Sequence, residues 1–135
     1  ILKTGAKGVQ MGSRFITTNE CDVSIAFKNE FINSNENSIT IIDSPVGLPG
    51  RVISNDFVKE IQAGTQKPIR CGWKCLKKCD YKNVQFCVAE ALYNAAKGDF
   101  TKGFAFSGIN GFKATEIISV KETMEQIQKE FDVRR

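Results

Sequence analysis

Apolar positions recur along this chain at two spacings, and the elements follow from them. Val9, Gln10 and Met11 form a short, mostly apolar run between Gly8 and Gly12-Ser13-Arg14, which predicts a strand ending in a glycine turn. Val23, Ala26, Phe27, Glu30 and Phe31 keep helical spacing, predicting a helix over 21–33 entered from Thr17 or Thr18, with Glu20 in its first turn. The polar stretch 33–37 reads as a loop, and Ser38 to Ile42 as a β-rich run ended by Asp43-Ser44-Pro45. Ser44 to Arg51 holds two prolines and two glycines, a composition that predicts an irregular connector or a shaped loop over a ligand. Phe57, Val58 and Ile61 face inward on a helix capped by Ser54 or Asn55 and running to Ala63. Val88, Ala91, Leu92 and Ala95 stripe a second helix over 84–97, closed by Gly98. Phe104 to Phe106 reads as a short extended segment, 107–111 as a second glycine loop, and 120–131 as an amphipathic last helix carrying Met124, Ile127 and Phe131.

The opening residues read as an interruption. Ile1 to Lys3 followed by Thr4-Gly5-Ala6 look like the last turn of a helix closed by glycine, and a strand comes next. A helix end, a turn and a strand make half of a β/α repeat. The expectation is a piece of a longer protein.

Composition narrows the chemistry. The 135 residues are 41% hydrophobic and 25% charged, ordinary for a globular domain. The apolar runs are too short to span a bilayer and no leader pattern opens the chain, so the expected location is cytoplasmic. The net charge of +4 falls unevenly: Lys67, Arg70, Lys74, Lys77, Lys78 and Lys82 crowd one segment with only Asp80 to oppose them. That segment is a solvated basic face or a surface for an acidic or phosphate-bearing partner. No nucleic-acid module accompanies it. There is no histidine, which removes the commonest general base and the commonest metal ligand, and no residue here is assigned a catalytic role.

Two groups of residues carry candidate chemistry. A strand running into Gly12-Ser13 suits an anion, because glycine allows close backbone approach while free N–H groups and the Ser13 hydroxyl can face a phosphate. Cys71, Cys75, Cys79 and Cys87 follow C-x3-C-x3-C-x7-C, with Cys21 apart. Four thiolates this close in sequence are either packed structural thiols, ligands for zinc or an iron–sulfur cluster, or redox groups. Their spacing matches neither the paired zinc pattern nor a ferredoxin run, and a disulfide framework does not suit a cytosolic chain.

Taken together, GAKGVQMGSRF, TTNEC, SPVGLPGR, the CLKKC segment, GDFTKG and FSGIN resemble the C-terminal part of the nitronate monooxygenase family, formerly 2-nitropropane dioxygenases. The related class II enoyl-acyl-carrier-protein reductases share that architecture, and the cysteine-rich segment resembles a clostridial-type branch. The resemblance implies an α/β fold: the last strand and helix of an FMN-binding TIM barrel, with a smaller, mainly helical inserted domain. It places the end of the barrel at 1–35, a lid-like substrate-side domain at 36–105, and a returning loop and helix at 106–135. Residues 8–12 would be barrel strand eight, and Gln10, Met11, Gly12 and Ser13 would hold the FMN phosphate, Ser13 standing where the family has Thr. The family's catalytic histidine and its other phosphate-binding glycines belong to upstream segments. The implied reaction is oxidation of alkyl nitronates with O₂. The alternatives are an FMN- and NAD(P)H-dependent enoyl reductase partnered by acyl carrier protein, and a non-enzymatic cysteine-rich metal-binding module.

Overall fold

The computed structural model describes residues 5–133 except 66, 68, 73 and 78. Its centre is an antiparallel hairpin of β1 (Ile39–Asp43) and β2 (Pro49–Ile53), paired from Ile39↔Ile53 to Asp43↔Pro49. The segment at Phe106 adds a partial third strand beside β2. The Ile53 N–H donates to the Ala105 carbonyl at 3.0 Å, and the Ser107 N–H donates to the Arg51 carbonyl at 3.0 Å.

Alternation along β2 sends neighbouring side chains to opposite faces, so its end is buried on both. Val52 enters one core with Ile42, Phe57, Val58, Ile61, Phe86, Ala91 and Phe104. Ile53 enters the other with Phe31 and Ala105, against which Ile16, Phe27, Ile39, Phe100 and Ala114 pack. Rings set the geometry of the first core: Phe86 meets Phe57 and Phe104 edge-on, at 85° and 83°. Burying each such ring contributes roughly 1.5–3 kcal/mol.

The helices are placed by their caps. α1 is the single turn Ser13–Ile16. α2 (Ile25–Ile32) starts at Ser24, whose Oγ accepts the Phe27 N–H at 3.2 Å. α3 (Asp56–Gln62) starts at Asn55, whose Oδ1 accepts the Val58 N–H at 2.9 Å while its amide donates to the Gly103 carbonyl at 2.9 Å. α4 (Val88–Ala96) ends at Lys97, followed by Gly98 at φ +92. α5 (Val120–Val133) begins with a reciprocal box: the Ser119 Oγ accepts the Glu122 N–H at 3.1 Å, and the Glu122 carboxylate accepts the Ser119 N–H at 2.8 Å.

Gly103 lies flat against α4. A Cβ there would sit 2.1 Å from the Ala91 carbonyl oxygen and 2.9 Å from the Ala95 nitrogen. Only glycine lets that extended segment approach the helix so closely.

Four expectations are corrected. Residues 9–11 form no strand, with Val9 50% and Met11 41% exposed, because a strand needs neighbouring strands and no described segment supplies one. The second helix begins at Ile25 rather than 21, capped by Ser24; Thr17 and Thr18 are instead buried, and Thr18 bridges Ile118 in parallel. Part of Ser44–Arg51 is regular after all. Pro49, Gly50 and Arg51 open β2, where a first-position proline costs no ladder bond. Finally, α4 starts at Val88 rather than 84, after turns over 81–86. The helix end expected at 1–4 lies outside the described residues, but Gly5 has the left-handed φ of +88 that a closing glycine adopts. Residues 36–105 hold the hairpin as well as α3 and α4.

Candidate functional site

The turn at Gly12 and Ser13 is joined to the glycine loop at 107–111, ninety-five residues further along the chain. The Gly108 N–H donates to the Ser13 Oγ at 2.9 Å, the bond that links the two loops. The second loop is compact because Gly111 has no Cβ: one there would fall 1.9 Å from the Ser107 Oγ. At Gly12 the opposite holds. A Cβ built there meets nothing within 4 Å, so the space beside it is open. Gln10, Met11 and Gly12 are exposed.

These features fit a phosphate. Ser13 and Arg14 open α1, where backbone N–H groups have no earlier carbonyl within the helix to bond. The Ser13 hydroxyl accepts from Gly108 and keeps its own proton to donate. Arg14 does not join them. Its guanidinium forks onto Glu130 of α5, at 2.6 Å and 3.2 Å, and so clasps α1 to the last helix. A second tie comes from Glu20, whose carboxylate accepts the Val120 N–H at 2.9 Å at the start of α5. These two contacts were not visible in the sequence. The S-x-x-E box at 119–122 was the one local signal for where α5 begins.

The cysteines divide as their spacing implies. Cys71, Cys75, Cys79 and Cys87 line one cavity of about 260 Å³, walled by Pro45 and Val46 of the hairpin tip and by Phe86 and Val88. Cys21 lies elsewhere, and all five are free thiols. The described residues of segment 69–80 are irregular rather than helical, and Lys74 takes a left-handed φ of +44. Burial pushes the Cys79 thiol above its ordinary value, and Cys71, Cys75, Cys87 and Asp80 push it further the same way. No three Cys, Asp or Glu side chains among the described residues are gathered tightly enough to hold a single metal ion.

Of the basic segment, Lys67 pairs with Glu60. Arg70, Lys74, Lys77 and Lys82 form no ion pair among the described residues, and Lys78 lies outside them. No helix among the described residues is long and apolar enough to cross a membrane.

Comparison with known proteins places the chain. A probable nitronate monooxygenase of Staphylococcus saprophyticus is 35% identical over 57 residues, 42% of this chain and 16% of that protein. A (3aS,4S,5R,7aS)-5-hydroxy-7a-methyl-1-oxo-octahydro-1H-indene-4-carboxyl-CoA dehydrogenase of Rhodococcus jostii is 34% identical over 61 residues, 45% of this chain and 17% of that one. Each of these two matches spans about a sixth of the relative's length. Among solved structures, FabK from Thermotoga maritima superposes with a TM-score of 0.76 at 25% identity, covering 98% of this chain and 39% of that one. The family model described as nitronate monooxygenase matches residues 1–130. The chain belongs to the nitronate monooxygenase family.

Proposed function

We propose that this chain is the C-terminal part of an FMN-dependent oxidoreductase that oxidises alkyl nitronates with O₂, and that Gln10 to Ser13 anchor the FMN phosphate. The observation that carries the reading is the junction at Ser13, where open space beside Gly12, unpaired helix-start N–H groups and a free hydroxyl proton meet. In the whole protein, residues 8–12 pair as the last strand of a TIM barrel, whose C-terminal end is where such barrels hold phosphate. Residues 1–35 complete the barrel, 36–105 cover its substrate side, and 106–135 return to it.

Bound FMN would carry the electron chemistry. The residues of this chain would bind and orient. Ser13 donates its hydroxyl proton to a phosphate oxygen, Gly12 admits the phosphate against the backbone, and Gly108 fixes the Ser13 side chain in place. No residue of this chain takes the substrate proton.

The test is a titration of the chain with FMN and with riboflavin, which lacks the phosphate, followed by flavin fluorescence. The anchor reading expects FMN to bind and Ser13→Ala to weaken it about tenfold, the loss of one charge-assisted hydrogen bond. It also expects riboflavin binding to be weak and indifferent to that substitution. Equal affinity for the two flavins would sink it.

A second reading is an FMN- and NAD(P)H-dependent enoyl-acyl-carrier-protein reductase. Two observations favour it: the likeness to FabK, and the cations Arg70, Lys74, Lys77 and Lys82, which form no ion pair among the described residues and suit an acidic carrier protein. The CoA thioester in one relative's name points the same way. In the whole protein, nitronate-dependent O₂ uptake supports the first reading, and NAD(P)H oxidation that requires an enoyl thioester supports the second.

A further inference from the structure

We infer that Cys71, Cys75, Cys79 and Cys87 ligate an iron–sulfur cluster of the four-iron type in the cavity they share. The inference is independent of flavin binding and of the reaction catalysed.

Three observations converge on it. The first is that all four thiols face one cavity although Cys87 is separated from the others by the turns at 81–86. The second is spacing. A single zinc ion bonds its four sulfurs at ~2.3 Å, so it draws them nearly into mutual contact. The cavity that the four cysteines line is about 260 Å³, more than one ion needs and roomy enough for a larger inorganic core. A four-iron cluster takes four cysteine thiolates and holds them further apart than one ion does. The third is the surroundings. Val46, Ile69, Leu76, Val84 and Phe86 line the same cavity, giving the apolar wall that shields such a centre from water. Lys74 and Lys77 stand at it without ion-pair partners among the described residues, and offset the negative charge of four thiolates.

Such a centre would organise a stretch that has little else to order it. The described residues of segment 69–80 contain no regular element, and Cys75 is exposed. Ligation would tie it to the start of α4, at Cys87, in the cavity that the hairpin tip walls.

The chain is purified under argon and incubated with equal amounts of ferrous and ferric iron and with sulfide. Two ferrous ions, two ferric ions and four sulfides assemble without net oxidation, and the four thiol protons pass to the buffer. The expected product has about four irons and four acid-labile sulfides per chain, with a broad visible absorption. Cys71→Ser, Cys75→Ser, Cys79→Ser and Cys87→Ser should each lose at least half of the bound iron. Cys21→Ser should keep it. Circular dichroism of each variant separates loss of ligation from loss of folding, and the unsubstituted chain decides the matter by itself. One zinc per chain with no sulfide would overturn the assignment. So would a chain free of metal whose five thiols all alkylate readily, or a Cys21→Ser variant that loses as much iron as Cys75→Ser.

Discussion

Replacing Gly103 by alanine tests whether the second half of the chain is held by close backbone packing against α4. The added methyl would sit 2.1 Å from the Ala91 carbonyl oxygen and 2.9 Å from the Ala95 nitrogen. Those two groups lie one turn apart, the acceptor and donor of a single α-helical hydrogen bond. The methyl is therefore driven into a helix hydrogen bond, with no flexible side chain there to swing aside. Reaching even the shortest contact real Cβ atoms tolerate, 3.0 Å, requires the segment and α4 to separate by roughly 0.9 Å. Separation loosens Phe104 in the first core and lengthens the 2.9 Å bond from Asn55 to the Gly103 carbonyl. Overpacking of this kind costs about 1–3 kcal/mol, and the rigidity of both backbones argues for the upper end. Urea unfolding of the full chain, followed by tryptophan fluorescence and circular dichroism, reads the loss as a lower midpoint at unchanged slope. A Gly50→Ala variant serves as comparison: its methyl would meet the Phe106 ring at 2.5 Å, a side chain that can turn away, so it should cost less. A change below about 0.5 kcal/mol for Gly103→Ala would refute the packing argument.

Three further outcomes follow from the caps and clasps. Asn55→Ala removes both the α3 cap and the bond to Gly103, costing about 2 kcal/mol in the same unfolding assay; Asn55→Asp keeps the cap and should recover roughly half. Arg14→Lys keeps the charge but loses the fork onto Glu130. Because both side chains are partly exposed, it should cost no more than about 1 kcal/mol, detected as faster amide exchange in α5. Hydrogen bonds from the Ser119 hydroxyl and N–H hold the Glu122 carboxyl below its usual value of 4.5. A depressed carboxyl contributes stability that is present above that value and lost as pH falls through the folded one. Helicity of α5 should therefore fall on acidification below pH 4.5, and Ser119→Ala should flatten that acid limb; an unchanged limb in the variant would contradict the cap.

Much of the architecture could be read from local pattern, because the relevant forces are local. Helical spacing placed Phe57, Val58 and Ile61 on one buried face, and Asn55 announced α3 by its chemistry. Gly98 ended α4 for the same reason. Where pattern failed, a distant partner decided the outcome. Val9 to Met11 has the composition of a strand, but pairing is supplied by other segments, and none of those described reaches it. Thr17 and Thr18 have the chemistry of caps, yet the Thr17 carbonyl accepts the Ile118 N–H, and the Thr18 carbonyl accepts the Cys21 N–H and the Lys28 ammonium. The site shows the same division. Gly12 and Ser13 could be singled out from their own residue types. Their link to Gly108, ninety-five positions along the chain, depends on how the residues between them fold, and no local signal encodes that. The common cavity of the four cysteines likewise needs the hairpin tip, whose prolines and glycines fit a connector as well as a shaped loop over a ligand.

The parallel bridge between Thr18 and Ile118, with Glu20 bound to the start of α5 one hundred residues away, also bears on the order of folding. Closing a loop of that length costs about 4 kcal/mol of chain entropy before its contacts form. The β1–β2 hairpin closes across a handful of residues, and α3, which follows β2 directly, docks on it through neighbours in sequence. The hairpin and its phenylalanine core should therefore condense first, and the two ends should join last. In refolding, protection of the Val52 amide, paired opposite Thr40, should precede that of Asn19 and Ile118. The same order makes the terminal clasp the first part to open, so the phosphate-facing turn at Ser13 would come and go with it while the hairpin core stays folded.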